Sequence, residues 1–247
     1  MNRITYTVMR NIFRAPWWLY HIWKMGRDGD RHTQEERYAY LKDVVGKVNK
    51  TGRVIVTGYG TEHIPEQDGF VLFPNHQGLF DMLAIIDTCQ RPLSVVVKKE
   101  VCNVILVKQV VELLKAIPMD RKDIRESMRI INQMTEDVKN GKNYVIFPEG
   151  TRSRDGNQIL KFKGGTFKSA VNARCPIVPV ALIDSYKPFG LPSIRKENVQ
   201  VHYLEPIPYE QYLGLKTVEI ADIVHDRIQQ KINENISENM LDNTKLL

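Results

Sequence analysis

His76 and Asp81 have the residue types and spacing that most directly suggest chemistry, within the stretch Pro74-Asn75-His76-Gln77-Gly78-Leu79-Phe80-Asp81. A histidine can take up or release a proton near neutral pH. A carboxylate bound to its second ring nitrogen sets the tautomer and stabilises the imidazolium. The pair is therefore predicted to be a general base and the residue that orients it.

A second pair, His63 and Asp68, has the same spacing, so spacing alone does not identify the base. The six histidines and the aspartate frequency of this chain give about 0.3 such pairs by chance, and false positives of this kind are expected. Pro65 lies between His63 and Asp68 in a polar stretch that predicts a surface turn. The sequence around each histidine has to decide between the two pairs.

The surroundings of His76 favour it over His63. His76 follows the apolar run 70–73, which predicts a strand, and precedes the apolar segment 79–86, which predicts a helix. A strand-to-helix turn is thus predicted at His76, and Gly78 is predicted to allow its tight path.

A second group of polar residues follows another apolar run, 144–147, which predicts a buried strand. An arginine, two hydroxyl groups and a glycine-loosened backbone together suit a phosphate group. The residues are Glu149, Gly150, Thr151, Arg152 and Ser153, and Lys161 and Lys163 add positive charge nearby. Taken singly, Arg152 and Glu149 have an ordinary alternative, an exposed ion pair with each other.

The elements that must position these residues alternate between short β-rich runs and helical stretches from Arg53 onward. This alternation predicts an α/β fold with a central mixed, largely parallel sheet flanked by helices. Strands are predicted at 54–56, 70–73, 93–97, 144–147, 177–183 and 199–204. Helices are predicted at 81–88, at 101–116, from an Asp120 N-cap to Gly141, up to Ala173, and from a Thr217 cap, with the residues from Ser237 frayed. Loops at strand ends of such a sheet bind ligands, so the loop after 144–147 is a predicted site.

Residues 2–25 combine basic residues with all three tryptophans of the chain. Trp and Tyr favour the bilayer interface and basic residues its anionic surface, so this segment predicts a helix lying in the membrane plane. An ordinary helix packing its aromatic residues on the core is the alternative. A second helix is predicted at 33–50, which divides the chain into a two-helix membrane-docking unit, 1–50, and an α/β domain, 51–247. The predicted docking residues are Arg10, Arg14, Trp17, Trp18, Trp23 and Lys24.

The net charge of +6 predicts an acidic partner, such as nucleic acid, anionic lipid or a phosphorylated substrate. The N-terminal segment has too much apolar bulk and too few consecutive charges for a nucleic-acid-binding arm, so no nucleic acid is expected. The three cysteines form no CxxC pair, and neither disulfides nor a metal site is predicted. No apolar run reaches the roughly 18 residues of a spanning helix, and Arg10 and Arg14 interrupt a signal-peptide core. We therefore expect peripheral association with the cytoplasmic face of the cell membrane.

Residues 53–205 resemble the glycerophosphate and lysophosphatidic acid acyltransferase family, which has four ordered sequence blocks. The His-x4-Asp block is matched at 75–81, and the Phe-Pro-Glu-Gly-Thr-Arg-Ser block is matched in full from Phe147 to Ser153. Looser matches are Ile117-Pro118-Met119-Asp120-Arg121, whose arginine binds substrate phosphate in the family, and Ile177-Val178-Pro179-Val180. The N-terminal unit is similar to the two-helix membrane-docking element of some bacterial members. Gly78 departs from the pattern, because many members have serine there.

The resemblance implies a 1-acyl-sn-glycerol-3-phosphate O-acyltransferase. Such an enzyme moves a fatty acyl group from a thioester of coenzyme A or acyl carrier protein to the sn-2 hydroxyl of lysophosphatidic acid, with no metal and no cofactor besides this co-substrate. His76 and Asp81 are then expected to be catalytic. The residues expected to hold the substrate phosphate are Arg121, Arg152, Glu149, Gly150, Thr151, Ser153 and Lys163. Alternatives are an acyltransferase for another lysophospholipid or for glycerol-3-phosphate, a hydrolase, and a non-catalytic lipid-binding module of the membrane surface.

Overall fold

The computed structural model describes residues 2–28, 31–103, 107–120 and 123–245 of the protein. The strands in these ranges are β1 (Val54–Tyr59), β2 (Val71–Pro74), β3 (Ser94–Lys98), β4 (Ile117–Met119), β5 (Tyr144–Val145), β6 (Ile177–Ile183) and β7 (Glu197–Tyr203). They form one sheet in the order β1-β7-β6-β2-β5-β3-β4. The five strands from β6 to β4 are parallel, whereas β7 is antiparallel to β6 and parallel to β1. The predicted mixed, largely parallel sheet is confirmed.

Helices cover both faces of this sheet. Their bounds are α1 (Arg3–Arg10), α2 (Ala15–Arg27), α3 (Gln34–Thr51), α4 (Asp81–Thr88), α5 (Val107–Leu113), α6 (Ile124–Lys139), α7 (Lys168–Ala173), α8 (Lys187–Gly190), α9 (Tyr209–Tyr212) and α10 (Thr217–Lys245). Successive strand residues point to opposite faces. Leu72 therefore packs in one hydrophobic cluster with residues of α3 and α4. Val71 and Phe73 pack in a second cluster with residues of α6, α7 and α10.

Several predicted element boundaries are wrong. The helix predicted at 101–116 is interrupted: a 3-10 turn covers Lys99–Asn103, α5 follows, and Lys115 adopts a left-handed conformation before β4. The N-cap of α6 is Asp123 rather than Asp120, because the Asp123 carboxylate accepts hydrogen bonds from the N–H groups of Arg125 and Glu126. Helix α10 continues to Lys245 instead of fraying from Ser237.

The first N-terminal helix is also divided into two, α1 and α2. Pro16 lies in the first turn of α2, where its missing N–H is tolerated. A proline at this position cannot continue an earlier helix, so α1 and α2 are separate. Asn11 ends α1 and is buried, with its side-chain amide donating to the Thr7 carbonyl and to the Thr51 hydroxyl. The break changes which residues of the segment face outward.

Arg3 ties α1 to one edge of the sheet. Its guanidinium is fully buried and donates to backbone carbonyls of Gly52, Pro188 and Arg195 at 2.7 to 3.1 Å. Because β7 and β1 run opposite to β6, their first residues lie at the edge where β2, β5 and β6 end. Arg3 therefore holds α1 at the carboxyl edge of the parallel strands. Among the described residues, none of the helices is both long and apolar enough to cross a bilayer.

Candidate active site

His76 lies just after the carboxyl end of β2, which has β5 and β6 as its neighbours. Parallel strands end at the same edge of a sheet, so the loops after β2, β5 and β6 meet there. These loops contain His76, the segment 147–153, and residues 184–186. The two polar groups predicted from the sequence are thus brought together.

The His76 imidazole is hydrogen-bonded to Asp81, the first residue of α4, with 2.7 Å between Nδ1 and Oδ2. The Asp81 carboxylate is buried and also accepts the N–H groups of Gln77 at 2.7 Å and Gly78 at 3.0 Å. A carboxylate is an acceptor, so His76 donates from Nδ1 and carries its lone pair on Nε2. His76 is 20% exposed, which leaves a path to the ring.

The loop after β5 holds His76 from a second side. Phe147 stacks on the His76 ring with 4.1 Å between the ring centroids. The backbone N–H of Ser153 donates to the His76 carbonyl at 2.9 Å. The backbone N–H of His76 in turn donates to Oε1 of Glu149 at 2.6 Å. Two segments far apart in sequence therefore fix one histidine.

Glu149 is buried beneath this loop, and both of its carboxylate oxygens accept backbone N–H groups. Oε1 accepts from His76, and Oε2 accepts from Leu160 at 3.1 Å. Burial raises the pKa of Glu149 to about 7, although the two hydrogen bonds oppose the shift. Within the described ranges Glu149 forms no ion pair with Arg152. The phosphate-binding role expected of Glu149 stays a prediction.

The other residues expected to bind phosphate surround the same loop. Gly150 has a φ of +70°, and a Cβ there would lie 2.8 Å from the Lys163 ammonium, so Lys163 packs directly over the glycine. Thr151 is exposed and Arg152 half-buried, and neither side chain has an ion-pair or hydrogen-bond partner in the described part of the chain. The buried hydroxyl oxygen of Ser153 is also unpartnered there. Arg121 lies outside the described residues, but β4, the strand before it, ends at the same edge of the sheet.

Four polar residues of the site, Asn75, Gln77, Asn157 and Ser185, are absent from the sequence prediction. The amide of Asn75 accepts the Leu182 N–H at 2.7 Å and donates to the Leu182 carbonyl, so it joins β2 to β6 beyond the ladder. Gln77 donates to Asn157 and accepts the N–H of Ser185, each at 2.9 Å. A signal for two of them exists: Asn75 and Gln77 flank His76 in an extended segment, where alternate side chains face the same side.

Gly78 is not required by the backbone, which contradicts the predicted tight path. Its φ is not among the positive values found in the described chain. A Cβ at Gly78 would meet the Tyr186 Cα at 3.4 Å, an ordinary contact. The turn is formed instead by the Asp81 carboxylate, which accepts the N–H groups of Gln77 and Gly78. The space at position 78 therefore accommodates a Cβ.

The rival pair, His63 and Asp68, makes no contact. The two ring nitrogens of His63 face the Tyr203 carbonyl at 2.8 Å and the Glu205 carboxylate at 3.0 Å. Asp68 forms an ion pair with Arg91 at 2.6 Å. The choice of His76, made from the elements around it, agrees with this geometry.

The N-terminal helices expose a group of apolar side chains, which we call the N-terminal apolar surface: Val8, Met9, Ile12, Phe13 and Trp17. Phe13 is 94% and Trp17 63% exposed. The other predicted docking residues Arg10, Arg14, Trp23 and Lys24 are exposed as well, and Arg27 lies over the Trp23 ring. Trp18 instead packs against the core, so for this residue the alternative prediction holds.

A large cleft in the described structure, about 870 Å³, lies between α2, α5, β4 and α6 and contains neither His76 nor Asp81. The volume of this cleft therefore does not identify the position of the His76–Asp81 pair. Within the described ranges, no group of three or more His, Cys, Asp or Glu residues is arranged to hold a metal ion.

Comparisons with known proteins identify the family. A family model described as Acyltransferase matches residues 55–183. The 1-acyl-sn-glycerol-3-phosphate acyltransferase alpha of Ovis aries is 30% identical over 178 residues, which cover 69% of this chain and 58% of that protein. The 1-acyl-sn-glycerol-3-phosphate acyltransferase of Escherichia coli is 30% identical over 152 residues, which cover 61% of this chain and 62% of that protein. The chain thus spans less than two thirds of the length of these relatives.

A solved structure shares the fold. The crystal structure of a 1-acyl-sn-glycerophosphate acyltransferase from Thermotoga maritima superposes with a TM-score of 0.71. The match covers 94% of this chain and 96% of that one, at 22% sequence identity.

Proposed function

The chain belongs to the Acyltransferase family, and on this premise we propose that it transfers a fatty acyl group from a thioester donor to the sn-2 hydroxyl of 1-acyl-sn-glycerol-3-phosphate. The donor is acyl-coenzyme A or acyl carrier protein. The observation that carries the proposal is the hydrogen bond from Nδ1 of His76 to Asp81. It leaves the lone pair on Nε2, the ring nitrogen that is not bonded to the carboxylate. The names of the relatives support the choice of acceptor.

In the proposed reaction, Nε2 of His76 takes the proton of the acceptor hydroxyl as its oxygen attacks the thioester carbonyl carbon. The carbon–sulfur bond breaks, and the leaving thiolate receives the proton from the imidazolium. Asp81 stabilises the imidazolium, so no covalent acyl-enzyme is required. General-base help of this kind accelerates a reaction by roughly 10²- to 10⁴-fold.

The cationic loop beside His76 gives the acceptor its orientation in this proposal. Arg152 and Lys163, with Arg121, would bind the phosphate and deliver the hydroxyl to His76. A hydrolase has no use for such a phosphate site, and a non-catalytic module has no use for an oriented histidine base. Both alternatives are therefore less consistent with the site than acyl transfer.

A panel of donors and acceptors tests the proposed function. Purified protein in lipid vesicles would be incubated with acyl-coenzyme A or acyl carrier protein and with lysophosphatidic acid, another lysophospholipid or glycerol-3-phosphate. We expect mass spectrometry to detect phosphatidic acid as the main product. Faster acylation of another acceptor would reassign the substrate, and donor loss without any acceptor would indicate hydrolysis.

Replacement of Arg152 by alanine is expected to raise the KM for lysophosphatidic acid by about 10-fold or more and to change kcat little. A charge-assisted hydrogen bond to phosphate contributes on the order of 1.5–3 kcal/mol to binding, which corresponds to such a factor. Steady-state kinetics measures the effect. Lys168→Ala removes an exposed charge on α7 and serves as the control. An increase confined to the donor KM would contradict the assignment of Arg152 to the acceptor.

We also propose that the N-terminal apolar surface docks on an anionic membrane. Arg3 holds α1 at the edge of the sheet where His76 lies, so docking there would bring the site close to its lipid. Exposed aromatic and aliphatic side chains gain free energy by entering the interface, and Arg10 and Arg14 complement anionic headgroups.

The double variant Phe13→Ser/Trp17→Ser is expected to reduce sedimentation with anionic vesicles several-fold. These side chains are exposed, so the loss reports docking rather than folding. Deletion of residues 1–25 is a poorer test, because it also removes the buried Arg3 and Ile22. Leu213→Ser/Val218→Ser changes two other exposed apolar residues, which lie elsewhere on the surface, and should leave binding intact. Equal vesicle binding by the wild type and both double variants would exclude the N-terminal apolar surface as the docking site.

A further inference from the structure

Ser185 is a fully buried residue on the loop after β6, 104 positions from Asp81 in sequence. Its hydroxyl makes a short hydrogen bond to Oδ1 of Asp81. The opposite oxygen, Oδ2, accepts Nδ1–H of His76. Ser185 and His76 therefore contact the two ends of one carboxylate.

The hydroxyl proton of Ser185 has two acceptors within reach, Asp81 and Oε1 of Gln77 at 3.1 Å. Oε1 of Gln77 already accepts the backbone N–H of Ser185 at 2.9 Å. A hydroxyl has one proton to donate, and a carboxylate is the stronger acceptor. Ser185 therefore donates its hydroxyl proton to Asp81.

The loop that carries Ser185 is held by a buried polar network. Asp184 has a φ of +64°, and its N–H donates to Oδ1 of Asn157 at 2.8 Å. The same oxygen accepts Nε2–H of Gln77 at 2.9 Å, and Gln77 also donates to the Leu182 carbonyl. These bonds fix which end of the Gln77 amide faces Ser185. The surrounding hydrogen bonds therefore fix the position of the Ser185 hydroxyl.

We propose that Ser185 is a positioning residue for His76 that acts through Asp81. The inference rests on the proposed function, in which His76 is the general base. Oδ2 of Asp81 accepts from Gln77 and His76, Oδ1 accepts the Ser185 hydroxyl, and the Gly78 N–H is shared between the two oxygens. Ser185 is therefore the side-chain donor that holds Oδ1, and it helps to keep the carboxylate from turning away from the imidazole. The same bond disperses part of the negative charge of Asp81, which limits how strongly the carboxylate holds the imidazolium.

Replacement of Ser185 by alanine is expected to lower kcat by about 10-fold, the size of one charge-assisted hydrogen bond. The KM for lysophosphatidic acid should not change, because Ser185 is buried behind Asp81. Asp81 with one donor fewer attracts the imidazolium more strongly. The acid limb of the profile of kcat/KM against pH is therefore expected to move to higher pH.

The charged groups around the dyad do not account for such a movement. Glu149 faces His76 from the loop after β5, and its pKa is about 7, but it makes no contact with Ser185. Asp184, next to Ser185, is paired with Lys187 at 2.7 Å. Both are the same in the wild type and the variant, so the difference between the two profiles reports the Asp81–His76 pair.

Two further variants separate positioning from a general effect on the fold. Ser169→Ala, on α7, removes a buried hydroxyl that has no hydrogen-bond partner in the described structure, and should leave kcat and the pH profile unchanged. Ser185→Cys keeps a polar side chain but has a larger sulfur and a much weaker donor, so we expect it to lose kcat as Ser185→Ala does. If the alanine variant does not fold, the cysteine variant decides.

Wild-type kcat and pH profile in a folded Ser185→Ala or Ser185→Cys protein would overturn the inference while leaving the proposed function intact. Failure of the wild-type protein to transfer acyl groups would instead refute the proposed function. A lower kcat with an unmoved acid limb would assign Ser185 a purely structural role and would also overturn the inference.

Discussion

His76→Ala is expected to reduce acyl transfer by about 10²- to 10⁴-fold, the contribution of a general base. The ring is the group that can take the acceptor proton at Nε2, since Nδ1 is bonded to Asp81. Its loss removes the stacking contact with Phe147 and one donor to the buried Asp81 carboxylate, which keeps its other donors, and it leaves the backbone hydrogen bonds to Glu149 and Ser153 in place. The fold should therefore persist, with an unfolding temperature close to that of the wild type.

His63→Ala is the matched control for this variant. It has the same spacing to an aspartate, yet its ring contacts the Tyr203 carbonyl and Glu205, and Asp68 is paired with Arg91. We expect nearly unchanged turnover for His63→Ala, measured with labelled acyl donor. Near-normal turnover by a folded His76→Ala protein would refute the assignment of the base.

The sequence was sufficient to predict the strands on which the site depends. Buried strands of a parallel sheet are continuous apolar runs, and the runs before His76 and before Glu149 are of this kind. Their loops meet because β2 and β5 are neighbours. The order of strands in the sheet is a tertiary property, so the contact itself was predictable only through the family resemblance.

The roles of Glu149 and Ser185 could not be read from the sequence. The Glu149 carboxylate accepts from the backbone N–H of a residue 73 positions away, and backbone donors leave no residue signature in a sequence. Ser185 donates to a carboxylate 104 positions away.

Other wrong predictions concern the choice between neighbouring residues of the same type. Asp120 and Asp123 are equally good N-caps by type, and the turn geometry selects Asp123. Trp17 and Trp18 differ in exposure because consecutive residues of a helix point in different directions, and the packing of α2 decides which of them faces the core.

Asp81→Asn is expected to lower kcat by about 100-fold and to move the acid limb of the pH–rate profile to lower pH. The amide carries no charge, so the imidazolium loses an ion partner at hydrogen-bond distance and holds its proton less strongly. A histidine that holds its proton less strongly is a weaker base, which lowers the rate. This movement is opposite in direction to the one expected for Ser185→Ala.

The orientation of the new amide decides how large the loss is. The Gln77 N–H points at the Oδ2 position, and the Gly78 N–H is shared between both positions. An NH2 group at Oδ2 would therefore face two backbone donors, whereas one at Oδ1 would face a single shared donor. At the Oδ1 position the Ser185 hydroxyl can rotate and accept. The carbonyl oxygen of the new amide should therefore take the Oδ2 position and keep Nδ1–H of His76 as its donor.

The expected loss is for this reason smaller than in serine proteases, where the corresponding substitution reverses the tautomer and costs about 10⁴-fold. Nitrogen-15 NMR of the histidine ring measures where the proton lies, and we expect it on Nδ1 in the wild type and in Asp81→Asn. Adding Ser185→Ala to Asp81→Asn removes the acceptor of the amide and should destabilise this orientation, with a further decrease in kcat. A proton found on Nε2 in the single variant, with a loss near 10⁴-fold, would contradict the role assigned to Ser185 in orienting the side chain at position 81.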